Sequence, residues 1–334
     1  MSTSSTHTVP RFPFTALVNQ ELAKEALLLA VANPAVHGVL FLGPKGTGKT
    51  TLVRSLTTLI PDMDVVELPI GSGEDMVLGT IDAEKTLATG KTTMKRGILS
   101  RANGNLLYID EVNLLPDHLV DVILDAAATG EFRLEREGVS AAMPSRFVLS
   151  GSMNPEEGWL RPQLLDRFGL AVHMEGLTKV EDRSEVFLRS RTFNRDPEAL
   201  VREFEPEQQR LRERVLTARE ILGQVHIPDD VIQKVIRSVL ELGVITHRAE
   251  LTTLQGAVAR AALQGREEVR WEDIQVVMPL ALQHRLGDAE TQSQLTWEML
   301  ERTLLEGRKD EEDKRRGWIS TPFFRKKKAV KPDS

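Results

Sequence analysis

Short, mostly apolar runs recur through the first half of the chain, spaced so that a helix fits between neighbours. They cover residues 39–42, 64–68, 105–109, 147–152 and 170–174. Hydrophobicity that is continuous rather than alternating predicts strands buried on both faces, as in a parallel sheet. Between them, apolar positions three and four apart predict helices over about 20–32, 49–59, 84–90 and 116–128. The expected fold is therefore α/β, with a parallel five-stranded sheet flanked by helices. After Gly176 the texture turns wholly helical, over 180–190, 206–222, 229–242, 248–264 and 271–284. Pro228 before Asp229-Asp230 marks a helix start there. We expect a disordered lead-in at 1–10, an α/β domain at 11–176, a linker at 177–200, an all-helical domain at 201–286 and a helical, basic tail at 287–334.

Ligands of such a sheet bind at the carboxyl ends of its strands, and two predicted strands end in chemistry. The first runs into Gly43-Pro44-Lys45-Gly46-Thr47-Gly48-Lys49-Thr50, which matches the phosphate-binding pattern G-x-x-x-x-G-K-[ST]. Glycines there let several backbone N–H groups converge on phosphate oxygens at a helix N-terminus. Lys49 is expected to reach the β- and γ-phosphates of ATP, and Thr50 to offer its hydroxyl to Mg²⁺. The third predicted strand, Leu106-Leu107-Tyr108-Ile109, exits on Asp110-Glu111. An acidic pair at the end of a buried strand is costly to desolvate unless it binds something. Asp110 is expected to join Thr50 in the Mg²⁺ shell, and Glu111 to act on the attacking water as base or positioner. Together these residues point to ATP hydrolysis.

Three further positions refine that reading. Asn154 follows the strand Phe147–Ser152 and could orient the attacking water, although Asn154-Pro155 is also a turn starter. Arg167, in Leu164-Leu165-Asp166-Arg167-Phe168, is placed to project towards a neighbouring subunit and stabilise charge on the γ-phosphate; the alternative is a local ion pair with Asp166 or Glu157. Arg248 opens a helix of the second domain and could reach nucleotide held between the domains, or simply lie on the surface.

Phosphate loop, Asp-Glu strand, Asn strand and the two arginines, in this order, resemble an AAA+ ATPase with a helical lid domain. Longer stretches resemble the ATPase subunit I of magnesium chelatase. They are Asp110-Glu111-Val112-Asn113-Leu114-Leu115, Asp117–Asp121, Asn154–Gly158, Leu160–Gly169, Phe12-Pro13-Phe14 with Asn19-Gln20, and Gly97–Ala102. The likeness covers about residues 11–286. It implies a motor forming a homo-oligomeric ring, a hexamer, that drives Mg²⁺ insertion into protoporphyrin IX. Its implied partners are a von Willebrand-type subunit and a large porphyrin-binding subunit. The family's usual insertion after the second strand is missing, since Asp64–Pro69 runs straight into Ile70–Asp75. The near alternative is a MoxR-like AAA+ chaperone that also works with a von Willebrand-type partner; the distant one is a DNA-remodelling ring.

Composition narrows these choices. The chain has 334 residues, 43 Lys and Arg against 49 Asp and Glu, and no cysteine. Disulfides and thiolate metal sites are thereby excluded. No apolar run reaches the length of a membrane span, and the Ser/Thr-rich start lacks the core of a secretory signal. A cytoplasmic location is expected. Residues 308–334 carry ten bases against five acids, so the overall charge of −6 leaves about −11 for the body. An acidic body argues against specific nucleic-acid binding. The stretch Glu131–Gly138 with Arg146, where related ring motors grip DNA, balances three Arg against three Glu. Phosphate gripping needs an unopposed positive surface. Asp117, His118, Asp121 and Asp125 share a helix, but such residues more often complement the helix dipole than hold a metal.

Overall fold

A computed structural model describes residues 10–89, 94–136 and 139–286. Most of the expected lead-in and all of the expected basic tail lie outside these residues. In chain order the elements begin with α1 (Glu21–Ala32), β1 (Val39–Leu42), α2 (Lys49–Leu59), β2 (Val65–Leu68), α3 (Glu74–Leu78), β3 (Gly79–Ile81), α4 (Ala83–Thr89), β4 (Met94–Arg96) and α5 (Ile98–Ala102). Then come β5 (Leu106–Ile109), α6 (Asp117–Thr129), β6 (Glu131–Arg136), β7 (Val139–Pro144), β8 (Val148–Met153), α7 (Pro162–Leu165) and β9 (Leu170–His173). The remainder is helical: α8 (Val180–Arg195), α9 (Pro197–Ile221), α10 (Asp229–Glu241), α11 (Arg248–Leu263) and α12 (Trp271–Leu282).

All five expected strands enter one parallel sheet in the order β2-β5-β8-β1-β9. β1, β5 and β8 are buried at every residue, which is why their sequences show no alternation. One face packs on α1, α2 and parts of α9, α11 and α12 through residues such as Leu27, Leu52, Val215 and Val277. The other packs on α3, α5, α6 and α7 through Val77, Ile98, Val120 and Leu164. Two further antiparallel pairs form, β3 with β4 and β6 with β7, and Phe132 and Leu134 of β6 join the core on this second face.

The helical domain has its own core of Val231, Val235, Ile274 and Met278. Its other side continues the core behind the sheet, so it backs onto the sheet domain. Arg260 pins it there, reaching Glu25 of α1 at 2.7 Å and the fully buried Asp273 at 2.9 Å. The boundary expected at 200/201 falls inside α9, which starts nine residues before the expected Pro206. Buried Leu200 and the stacking of Arg189 over the Phe204 ring (4.8 Å) hold the turns ahead of Pro206 against α8. Packing thus keeps the helix continuous through Pro206, which cannot donate a backbone hydrogen bond.

Candidate functional site

Parallel register decides which side chains meet at the carboxyl edge. Ile109 pairs with Gly151, so one residue further on Asp110 stands beside Ser152. Ser152 donates to Asp110 Oδ1 and accepts the Glu111 N–H at 3.1 Å. Tyr108 lies on the same face of β5 as Asp110, two residues earlier. Its hydroxyl donates to Asp110 Oδ1 at 2.9 Å and sits 3.2 Å from Thr50 Oγ1. Burial pushes that hydroxyl up to about 12, so it remains a donor at neutral pH. Thr50 and Asp110, the two expected Mg²⁺ ligands, are therefore joined through one phenol. Tyr108 and Ser152 escaped the sequence reading; the two-residue spacing to Asp110 and Asn154 was the signal that pointed to them.

Gly43 N–H bonds the Met153 carbonyl at 3.1 Å, which seats the phosphate loop next to Asn154. Gly46 and Gly48 have φ of +85° and +91°, and a Cβ on either would meet no atom within 4 Å. The concave side of the loop is open, and its N–H groups and the start of α2 suit a phosphate chain. Lys49 is buried and bonds the carbonyls of Gly43 and Pro44. Burial lowers its pKa, against the pull of Asp110, Glu111 and Glu157. Beside the loop lies a cavity of about 300 Å³ lined by Phe12, Leu17, Val18, Thr51, Met174 and Val186. A flat apolar ring system fits such walls. The donor set thus fits a nucleotide with its Mg²⁺.

Glu111 has φ +54°, a rare conformation for a side chain of its size. It turns the carboxylate towards the loop, where Oε1 meets Lys45 Nζ at 3.1 Å. Lys45 also reaches Glu157 Oε1 at 2.9 Å. Asn154 is buried at the end of β8, and its Oδ1 accepts the Glu156 N–H at 3.3 Å. That contact is the turn that Asn154-Pro155 was also expected to start.

The two arginines stand elsewhere. Arg167 lies against α6, 3.1 Å from Asp121 and 2.6 Å from Asp125, rather than on Asp166 or Glu157. Asp166 is taken by Arg248 at 2.7 Å, Arg285 at 3.0 Å and the Thr246 hydroxyl at 3.0 Å. Burial would raise its carboxyl, yet those hydrogen bonds hold it below the ordinary range. Arg248 also acts electrostatically on His37 at the amino end of β1. The phosphate loop leaves the opposite, carboxyl end of β1, four strand residues or roughly 13 Å on at strand rise. In this structure Arg248 meets Asp166, whereas the sequence reading has it reach nucleotide held between the domains. The helical domain backs the sheet, and Arg248 shares an edge with Arg167. Of the acids on α6, Asp117 pairs with Arg161 at 2.5 Å. Among the described residues no group of His, Asp and Glu is arranged to hold a metal ion. No helix among them is long and apolar enough to cross a membrane.

Comparison with known proteins matches residues 38–168 to an AAA domain of the dynein-related subfamily and residues 232–302 to an AAA lid domain. The chain is 47% identical over 311 residues to a magnesium-chelatase subunit ChlI homolog of Methanocaldococcus jannaschii, covering 82% of this chain and 85% of that one. It is 42% identical over 317 residues to the magnesium-chelatase 38 kDa subunit of Rhodobacter capsulatus, covering 85% and 91%. A solved putative ATPase from Cytophaga hutchinsonii shares the fold, with a TM-score of 0.64 at 21% identity over 87% of this chain and 91% of that one. Sheet, helical domain and sequence agree: the chain belongs to the magnesium-chelatase ATPase subunit family, within the AAA+ ATPases.

Proposed function

We propose that this chain is the motor subunit of a magnesium-chelatase-type complex, coupling ATP hydrolysis to Mg²⁺ insertion into protoporphyrin IX. The observation that carries the ATPase part is the joining of Thr50, Tyr108, Asp110 and Ser152 at the mouth of an open phosphate loop. Identity along the chain with proteins named as magnesium-chelatase subunits supports the substrate.

In this reading the backbone of Gly43–Thr50 and the Lys49 ammonium bind the phosphates, and the cavity beside Phe12 takes the adenine. Thr50 and Asp110 would hold the nucleotide's Mg²⁺, which neutralises phosphate charge when bound. Glu111 polarises the attacking water. Asn154, whose Oδ1 is committed to its own turn, orients that water through its amide N–H. Arg167 and Arg248 meet Asp121, Asp125 and Asp166 rather than their own loop, and in this reading they serve the nucleotide of the next subunit in a homo-oligomeric ring, a hexamer. A guanidinium so placed accelerates phosphoryl transfer about 10³–10⁵-fold. Assembly in the cytoplasm with a von Willebrand-type subunit and a large porphyrin-binding subunit completes the proposal.

The test combines the purified chain with candidate partner subunits, protoporphyrin IX, ATP and Mg²⁺, and follows Mg-protoporphyrin by fluorescence. Product is expected only with all subunits and ATP. ATPase activity without product in any partner combination would leave a motor with another substrate.

A further inference from the structure

The loop pattern leaves the residue at Lys45 open, yet its ammonium joins three separate strand ends. It leaves the phosphate loop after β1, meets Glu111 after β5 at 3.1 Å, and meets Glu157 after β8 at 2.9 Å. The Glu111 backbone is held by its positive φ and by the Ser152 hydroxyl. Neither restraint sets the torsions that aim its carboxylate. A lysine ammonium has three donors on a compact charge, so it can hold two carboxylates at once. Lys45 is largely exposed, and exposed ion pairs add little to stability. What this pair supplies is direction.

We propose that Lys45 is a positioning residue for hydrolysis: anchored by Glu157, it grips one oxygen of Glu111 and leaves the other aimed at the attacking water. The proposal rests on the reading of Glu111 as the group acting on that water. A general base must stay within hydrogen-bond reach of its proton, and a misplacement of about 1 Å can cost on the order of 10²-fold in rate. The lysine thus acts through Glu111, and its loss leaves the loop's N–H groups and Lys49 in place for the phosphates.

The experiment compares Lys45→Gln, Lys45→Arg, Glu157→Gln and Glu111→Gln in the full chain. It measures steady-state ATPase, affinity for a non-hydrolysable fluorescent ATP analogue, and melting of the ligand-free protein. We expect Lys45→Gln to lose roughly tenfold in kcat, with analogue affinity within about threefold and melting unchanged. Lys45→Arg should recover most of kcat, and Glu157→Gln should fall between wild type and Lys45→Gln. Wild-type kcat in Lys45→Gln overturns the proposal. So does a loss confined to analogue affinity, which would make Lys45 a phosphate ligand, or an arginine variant no better than the glutamine. Wild-type turnover in Glu111→Gln would instead overturn the hydrolytic reading on which the proposal stands.

Discussion

At the scale of single residues, the site is a set of carboxylates that neighbours keep in place at the end of a buried sheet. Asp110 has Tyr108 and Ser152 as donors, and Glu111 has Lys45. Glu111→Gln keeps the shape but loses the basicity, so we expect nucleotide binding to persist while turnover falls below detection. Lys49→Ala should weaken nucleotide binding itself; equilibrium binding beside steady-state assays separates the two. Ser152 is fully buried and serves both acidic residues. Ser152→Ala leaves a backbone N–H and a carboxylate oxygen short of a partner, which should lower unfolding free energy by about 1–3 kcal/mol. Denaturant titration measures that loss.

Among the elements, helix α11 shows how tightly the helical domain is packed. Gly256 lies in its interior, where glycine disfavours a helix by about 1 kcal/mol relative to alanine. A Cβ there would stand 2.5 Å from Val277 Cγ1 of α12. Gly256→Ala should therefore destabilise by about 1–3 kcal/mol through overpacking, despite the better propensity. Adding Val277→Ala should relieve the clash, so that the double variant melts higher than the sum of the single losses allows.

For the whole molecule, what matters is that the helical domain backs the sheet and carries Arg248 to the edge where Arg167 lies. If both act on a neighbour's nucleotide, Arg167→Ala should bind ATP yet hydrolyse slowly. Mixing it with Lys49→Ala should restore activity above the sum of the two, because some interfaces pair an intact loop with an intact arginine. No gain in rings shown to be mixed would refute action between subunits. The junction also titrates. Burial lowers the pKa of His37, His173 and His284, most strongly His284; the charges of Arg248 and Arg285 add to that lowering, while Glu175 and Asp166 oppose it. Below their ordinary value of 6.5 the unfolded chain binds protons that the folded chain does not. Stability is thus fully present above about pH 6.5 and falls on acidification. Asp166, held below the carboxylate range, extends the loss to lower pH. A melting series from pH 8 to 5 should show this slope, and His284→Gln should flatten its upper part.

The five strands, the phosphate loop and the acidic pair were legible in the sequence because each is local. Continuous apolar runs report burial on both faces, and a loop that cradles phosphate needs its glycines and lysine at fixed spacing. Ser152 became a neighbour of Asp110 and Glu111 only through the register between β5 and β8, which no single segment encodes, whereas Tyr108 and Asp110 lie two residues apart on one face. The helix expected over 206–222 begins at Pro197 instead, carried back by contacts with α8. Arg167 and Arg248 were recognisable as residues, but their partners were not. Which carboxylate an arginine meets depends on where whole domains pack, and that is set by contacts between residues far apart in the chain: 82 positions separate Asp166 from Arg248.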